Sequence, residues 1–163
     1  MSARVTPATL AASGAQVAFT VHEYIHDPSA ASYGLEAAER LGVPYARVAK
    51  TLVASATRMN RRELVVGVVP VDRQLDLKAL AGAVGAKRAE MAKPADVERS
   101  TGYVLGGVSP LGQRRRLITV VDESLLGHVT VFVSAGRRGL EIELAPADLI
   151  AIAGAVIAPI ATA

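Results

Sequence analysis

The segment of residues 100–112 constrains the fold most, because its glycines favour an irregular loop over a helix or a regular strand. It holds four glycines, one tyrosine and no charged residue. Glycine adopts positive φ angles easily and lets the backbone approach another surface closely. Because apolar, strand-like sequence flanks the segment, we expect this loop to cradle a ligand rather than to fill a core. Three consecutive arginines at 114–116 follow it, so the expected ligand is anionic.

The composition indicates one folded domain over residues 1–163. Apolar residues make up 51% of the chain and charged residues 20%, which suits a globular protein with a full hydrophobic core. The absence of cysteine excludes disulfides, thiolate metal sites and a cysteine nucleophile. The N-terminus lacks the pattern of a secretory signal, and the uncharged apolar stretch at 149–163 is shorter than a membrane span. We therefore expect a cytoplasmic protein that does not bind a membrane.

The charge distribution leaves two interpretations open. The formal net charge is +3 and the isoelectric point is about 9.5, a modest basic excess. Many of the arginines fall in expected turns, where they are either solvated surface charge or a surface for nucleic-acid phosphates. These are Arg58, Arg61, Arg62, Arg114, Arg115, Arg116, Arg137 and Arg138.

Capping residues and hydrophobic periodicity predict an α/β fold with a mixed, largely antiparallel sheet. Helices are expected to begin after the N-caps Thr6, Ser32 and Asp76, and two more are expected from Pro94 and Pro146. Strands are expected over 17–24, 48–56, 64–69, 86–91, 117–121, 129–134 and 140–144. Short turns join several strands, at 58–62 and at 135–138 among others, and this favours antiparallel neighbours.

The spacing of His22, Glu23 and His26 matches the H-E-x-x-H signature of zinc proteases. That motif needs a helix, whereas residues 17–21 are strand-like and the pair Asp27-Pro28 ends any helix at once. In a strand Glu23 points away from both histidines, so we expect no metal site. The same strand is expected to place Tyr24 in the wall of a pocket.

A serine hydrolase is a further possibility that the spacing alone leaves open. Its triad would combine His22, His26 or His128 with Ser109 or Ser134. The G-x-S-x-G elbow that exposes the nucleophile in α/β-hydrolases is absent from the sequence.

Lys50 is the one charged residue in the apolar run 48–54. Lysine is almost never fully buried without a partner. Its ammonium group either extends from the strand into water or points into a cleft, where it would hold a phosphate or a polarised carbonyl.

Six short segments are informative when they are taken together. They are HEYIHD at 22–27, VAKTL at 48–52, QLDLK at 74–78, RSTGY at 99–103, GGVSPLG at 106–112, and VSAG at 133–136 with GLEIEL at 139–144. In this order the segments resemble the YbaK/EbsC family, and within it the free-standing Cys-tRNA(Pro) deacylases. The resemblance covers about residues 6–153 and extends to the editing domains of bacterial prolyl-tRNA synthetases.

The resemblance implies a fold and a set of site residues. The family fold is a mixed sheet curled into a pseudo-barrel with helices outside. The lysine of the VAKTL segment is the residue on which activity depends in the family, so Lys50 is expected to be catalytic. Relatives usually have Asp at the position of Glu141 and often Phe at that of Tyr33. The positions expected to line the pocket are Tyr24, Tyr33, Tyr103, Gly106, Ser134 and Glu141.

The resemblance also implies the activity, which is hydrolysis of mischarged Cys-tRNA(Pro) in trans, without a cofactor or a metal. The substrate's own thiol or ribose hydroxyl would help to attack the ester. Arg114, Arg115 and Arg116 would bind the acceptor stem of tRNA-Pro at the pocket mouth, and prolyl-tRNA synthetase is a possible partner. The alternatives are a deacylase for Ala- or Ser-charged tRNA and a module that binds aminoacyl-tRNA or a nucleotide without turnover.

Overall fold

The computed structural model describes residues 4–162, which form five α-helices and eight strands. The helices are Pro7–Gly14 (α1), Tyr33–Leu41 (α2), Leu77–Ala83 (α3), Pro94–Thr101 (α4) and Pro146–Ala153 (α5). The strands are Phe19–Glu23 (β1), Ala49–Arg58 (β2), Arg61–Pro70 (β3), Arg88–Met91 (β4), Ile118–Asp122 (β5), Val131–Arg137 (β6), Leu140–Leu144 (β7) and Val156–Ala158 (β8). None of the helices in this range is long and apolar enough to cross a membrane.

The strands are divided between two sheets. One has the order β1-β7-β6 and is antiparallel throughout. The other has the order β4-β2-β3-β5-β8, in which β5 lies parallel to both of its neighbours. A mixed, largely antiparallel α/β fold is thus confirmed. The pseudo-barrel is not confirmed, because the described strands form no closed ring; an isolated bridge from Val48 to Phe132 links the two sheets instead.

The expected helix starts are confirmed. The side chains of Thr6, Ser32 and Asp76 each accept a hydrogen bond from the backbone N–H three residues later, as N-caps do. Gly42 ends α2 with a φ of 69°, a left-handed conformation that is more favourable for glycine than for other residues.

The hairpin of β2 and β3 forms the centre of the larger sheet. Met59 and Asn60 connect the two strands with φ angles of 49° and 62°, the pattern of the tight turns that suit twisted antiparallel strands. The strands pair continuously from Ala49 opposite Pro70 to Arg58 opposite Arg61. This long ladder fixes the position of Lys50 relative to the rest of the sheet.

Other boundaries differ from the sequence prediction where pairing is non-local. Strand β8 was not expected, because its three residues lie in the apolar C-terminal stretch and pair only with β5, more than thirty positions earlier. The turn expected at 135–138 is shorter, because β6 continues to Arg137 through an irregularity in register after Ser134. Such a bulge changes the direction in which neighbouring side chains point.

The main core lies between the two sheets. It includes Val53 and Val66 from the larger sheet and Val133, Ile142 and Leu144 from the smaller one, all 3% exposed or less. Burial of each such side chain stabilises the folded state by about 1.5–3 kcal/mol relative to a side chain left in water. A second cluster lies under α3, and α2 covers a third around Val48 and Phe132. The two sheets are therefore held at a fixed separation close to the bridge that links them.

Candidate functional site

A cavity of about 290 Å³ opens beside the bridge between the two sheets. This volume is just below the range of about 300–1,000 Å³ for small-ligand sites. Its walls come from α2, β2, β6, β7 and the glycine-rich loop. The lining residues are Tyr24, Ala31, Ser32, Tyr33, Gly34, Ala37, Ala49, Lys50, Thr51, Leu52, Leu105, Gly106, Val108, Ser134, Arg138 and Glu141.

The cavity exists because β2 changes neighbours along one of its edges. Residues 54–57 on that edge pair with β4, and the next contact toward the N-terminus of the strand is the bridge of Val48 to β6. Between them, within the described part of the chain, no strand pairs with Lys50, Thr51 or Leu52 on this side. The hydroxyl of Thr51 is buried here without a hydrogen-bond partner among residues 4–162. The gap leaves polar groups of β2 free for a ligand.

Lys50 enters this gap from β2 and is partly exposed. Loss of water around the ammonium group lowers its pKa, and the nearby carboxylate of Asp72 opposes that shift. No salt bridge to Lys50 is formed within residues 4–162. The cation is thus partly dehydrated and available to a negatively charged or polarised oxygen.

Glu141 forms the floor of the cavity. The residue is only 6% exposed, and its carboxyl group makes no hydrogen bond within the described residues. Burial raises its pKa to about 8, so the group is mostly neutral at pH 7. Ser134 lies directly opposite on β6. Tyr24 lines the same cavity. Burial, together with Glu141 in the ionised form that it takes at high pH, raises the pKa of Tyr24 to about 12.

The mouth of the cavity combines Tyr33, Gly106 and Arg138. The Arg138 guanidinium lies 3.9 Å from the centre of the Tyr33 ring and donates a hydrogen bond of 2.8 Å to the Leu105 carbonyl. Sequence reasoning placed Arg138 in a turn, among the arginines that could bind nucleic-acid phosphates, and did not place it in the cavity. A signal for Arg138 was available in the sequence, because it lies three residues before Glu141 and between the two parts, 133–136 and 139–144, of a segment that carries the family resemblance.

Much of the glycine-rich loop fills the core, contrary to the expectation from its composition. Tyr103 is 4% exposed and does not line the cavity. Its hydroxyl donates a 2.6 Å hydrogen bond to the Leu111 carbonyl, which stabilises the loop from within. Leu105, Gly106 and Val108 are the loop residues that reach the cavity. Tyr103 therefore stabilises the loop from the core and is not one of the side chains that line the cavity.

The histidines of the H-E-x-x-H match do not converge. His22 lies on β1 and bonds to Glu143 over 2.9 Å, whereas His26 follows the strand and bonds to Glu36 over 2.7 Å. Within the described residues, no group of three or more His, Asp or Glu side chains is arranged to hold a metal ion. The strand that the sequence predicts at this position is confirmed, although it ends at Glu23.

The serines make no triad among residues 4–162. The hydroxyl oxygen of Ser109 accepts a hydrogen bond from the Leu111 backbone, and that of Ser134 accepts one from the Gly136 backbone. No hydrogen bond joins either serine to a histidine in this part of the chain. Ser134 remains a cavity residue whose hydroxyl proton is free to contact a ligand.

The three consecutive arginines do not lie at the mouth of this cavity. Arg115 and Arg116 line a separate cleft of about 460 Å³, together with Arg62 and Arg99. In that cleft Arg62 pairs with Glu90, and Arg99 pairs with Asp96. Arg114 lies outside both the cleft and the cavity, against Gly102. The arginines lie away from the cavity because the chain between Gly106 and Arg114 passes through the core, where Val108, Ser109 and Leu111 are buried.

Comparisons with known proteins agree with the sequence resemblance. Residues 27–152 match the model of the aminoacyl-tRNA editing domain. The chain is 42% identical to EbsC of Enterococcus faecalis over 77% of this chain and 74% of that protein, whose provisional name is Cys-tRNA(Pro)/Cys-tRNA(Cys) deacylase. It is 30% identical to the multifunctional Ser/Thr-tRNA deacylase ProXp-y of Escherichia coli K12, over 90% of this chain and 84% of that protein.

A solved structure gives the same result for the fold. A crystal structure described provisionally as a trans-editing enzyme for prolyl-tRNA synthetase matches with a TM-score of 0.78 and 25% identity, over 98% of this chain and 99% of that one. The match to the family model spans more than half of the sequence and includes Lys50, Gly106 and Glu141. The chain therefore belongs to the aminoacyl-tRNA editing domain family.

Proposed function

We propose that this protein is an enzyme that hydrolyses mischarged Cys-tRNA(Pro) in trans, as a step of translation quality control. The observation that carries the proposal is the small cavity in which Lys50, Glu141 and Gly106 meet, in a chain of the aminoacyl-tRNA editing family. The substrate class follows from the family. The choice of cysteine follows from EbsC, to which the chain is 42% identical.

The proposed role of Lys50 is to stabilise charge that develops on the carbonyl oxygen of the ester. A cation in a partly dehydrated site acts more strongly than one in water. Backbone N–H groups near Gly106 would be additional donors to that oxygen. A donor of this kind contributes on the order of 3 kcal/mol to catalysis.

The attacking group in this proposal comes from the substrate or from water that the substrate activates. The chain has no cysteine, and no serine–histidine pair is formed in its described part. The cysteinyl thiol or the free ribose hydroxyl would assist the attack on the carbonyl carbon. In overall hydrolysis the water oxygen joins the acyl group, and the ribose oxygen leaves and takes a proton. The protein then supplies position and electrostatic stabilisation.

A second candidate substrate is Ser- or Thr-charged tRNA. The cavity contains polar side chains, Thr51 and Ser134, that could bond to a substrate hydroxyl. The Escherichia coli relative that is 30% identical is named as a Ser/Thr-tRNA deacylase. A single methylene changes affinity by only about 1–3 kcal/mol in an apolar pocket, so several small amino acids would be accepted to different degrees.

The proposed activity is tested with a panel of tRNAs charged with Cys, Ser, Thr or Ala, in the presence of EDTA. We expect the largest kcat/KM for Cys-tRNA(Pro), and no loss of rate on chelation. Preferred hydrolysis of Ser- or Thr-tRNA would select the second candidate. Failure to release any of the four amino acids would refute the deacylase proposal.

Lys50→Ala should lower kcat by about 100-fold to 1,000-fold, because it removes one electrostatic contact to the developing oxyanion. The change breaks no salt bridge among residues 4–162, so the variant should unfold at nearly the wild-type temperature. Lys87→Ala, at an exposed lysine outside the cavity, is the matched control and should retain full activity. A folded Lys50→Ala variant with a rate within threefold of wild type would remove Lys50 from the catalytic role.

Glu141 is proposed to contact the aminoacyl end of the substrate. Its buried carboxyl makes no hydrogen bond among residues 4–162, and the α-amino group of an aminoacyl ester is a matching hydrogen-bonding group. Tyr24 and Ser134 would orient the same end, since both line the cavity next to Glu141.

The buried carboxyl group also gives stability a defined pH dependence. Its pKa is raised from 4.5 to about 8 in the folded state, so between these values the folded protein retains a proton that the unfolded chain has lost. Folding then takes up a proton, and stability falls as pH rises through this window, by on the order of 5 kcal/mol in total. Glu141→Gln should remove that loss, so its free energy of unfolding relative to wild type should rise from pH 5 to pH 8.

Glu143→Gln, two residues along the same strand, is the control for this measurement. Hydrogen bonds from Thr130 and His22 lower the pKa of Glu143. Ionised Glu143 therefore stabilises the folded state at pH values above the pKa that this group has in the unfolded chain. That stabilisation is lost as the pH falls through the lower pKa of the folded state. Equal pH profiles for the two variants, measured by urea denaturation, would contradict the assignment of Glu141 as a buried neutral acid.

The cleft that Arg115 and Arg116 line is proposed to bind phosphates of the tRNA acceptor stem. Neither arginine forms a salt bridge among residues 4–162. Arg116 also lies against Gly154 at the end of α5. Phosphate contacts position a nucleic acid but carry no sequence information. We therefore also propose prolyl-tRNA synthetase as the partner that supplies selectivity for tRNA-Pro.

Replacing both Arg115 and Arg116 with Gln should weaken tRNA binding and reduce its salt dependence. Each lost phosphate contact should lower the log–log slope of affinity against salt by roughly 0.7 to 0.9. Hydrolysis of aminoacyl-adenosine, which has no stem, should change little. Arg114→Gln removes an arginine outside the cleft and should leave the slope near the wild-type value. An unchanged slope in the double variant would identify these arginines as solvated surface charge.

A further inference from the structure

The cavity contains a second cation, Arg138, that the proposed mechanism does not use. Arg138 is exposed at the turn between β6 and β7, whereas Lys50 lies deeper and is partly dehydrated. The two cations are thus in different environments at one site. Their positions suggest that each contacts a different part of the substrate.

The guanidinium of Arg138 is held in a fixed orientation by three elements. It lies over the ring of Tyr33 at 3.9 Å, a separation at which cation–π attraction is effective. Its Nη2 atom donates to the Leu105 carbonyl over 2.8 Å. The ring of His26 also packs against the ring of Tyr33, with 5.4 Å between ring centres.

Gly106 is required for this arrangement. Its φ angle is 88°, and a Cβ atom there would lie 2.5 Å from Arg138 Nε and 2.7 Å from Tyr33 Cδ2. Both distances are too short for non-bonded atoms. The absence of a side chain at 106 therefore allows the ring and the guanidinium to approach the backbone of the glycine-rich loop.

Arg138 has no acidic partner within residues 4–162. Its neighbour Arg137 forms a salt bridge of 3.2 Å with Glu23, whereas Arg138 forms none. A guanidinium has five N–H donors, and one of those on Arg138 is used by Leu105. The remaining donors form a planar, charged fork, a group that binds phosphate in a bidentate manner.

We propose that Arg138 binds the 5′-phosphate of the terminal nucleotide of the substrate, and that Tyr33 and Gly106 hold its guanidinium in place. This inference rests on the proposed function. The volume of about 290 Å³ suits an aminoacyl group with its sugar and leaves the phosphate at the mouth, where Arg138 lies. Lys50, further inside, is then free for the carbonyl oxygen.

The test compares cysteinyl-adenosine with cysteinyl-adenosine 5′-phosphate as minimal substrates. Wild-type protein should prefer the phosphorylated ester by tenfold or more in kcat/KM. Arg138→Gln should abolish this preference and leave hydrolysis of the unphosphorylated ester within about twofold of wild type. Arg138→Lys should restore only part of the preference, because a lysine lacks the planar fork. Arg137→Gln, the adjacent paired arginine, is the control and should keep the full preference.

Two results would overturn the proposal. If Arg138→Gln retains the preference for the phosphorylated ester, another residue binds the phosphate. If the variant slows both esters equally, Arg138 acts on the cavity as a whole and not on the phosphate.

A binding measurement separates this inference from the proposed function. Calorimetric titration with adenosine 5′-monophosphate and with adenosine requires no turnover. The wild type should bind the nucleotide more tightly, and Arg138→Gln should bind both alike. That outcome supports Arg138 even if no mischarged tRNA is hydrolysed, whereas equal binding of the two compounds by the wild type overturns the proposal.

Discussion

The backbone pairing of β2 is the constraint on which the site depends. One edge of the strand pairs with β3 over its whole length, so its position is fixed by an uninterrupted ladder. The other edge pairs first with β6, at Val48, and later with β4, from Ala54 onward. The unpaired stretch between these contacts is where Lys50 and Thr51 line the cavity. The long, regular pairing of β2 with β3 thus fixes the backbone that carries Lys50 and Thr51.

The three ionisable side chains of the cavity, Glu141, Lys50 and Arg138, differ in how deeply they are buried. Glu141 is almost completely buried and mostly neutral at pH 7, Lys50 is partly dehydrated, and Arg138 is exposed. In the proposed reaction this order corresponds to the amino group, the ester carbonyl and the phosphate of the substrate. The protein would then recognise the end of an aminoacyl-tRNA by three contacts at increasing distance from the core. The small volume of the cavity would restrict the amino acid side chain.

Local features of the fold could be predicted from the sequence, and non-local ones could not. The caps at Thr6, Ser32 and Asp76 depend on residues three positions apart, and all three are confirmed. Strand β8 and the division into two sheets depend on pairing between distant segments, for which the local pattern carries no signal. The family resemblance correctly indicated the family, and six of the seven residues named for the cavity line it. Tyr103 does not, because a tyrosine in a glycine-rich loop can stabilise the loop from the core as well as contact a ligand, and sequence spacing does not distinguish the two.

A crystal structure with an unreactive analogue, an amide-linked cysteinyl-adenosine 5′-phosphate, would locate the substrate directly. We expect the aminoacyl group to occupy the cavity between the sheets. Its carbonyl oxygen should lie within hydrogen-bonding distance of Lys50 Nζ, about 2.7–3.2 Å, and its phosphate should contact Arg138. An analogue bound in the cleft lined by Arg115 and Arg116, with the cavity beside Lys50 empty, would contradict this expectation.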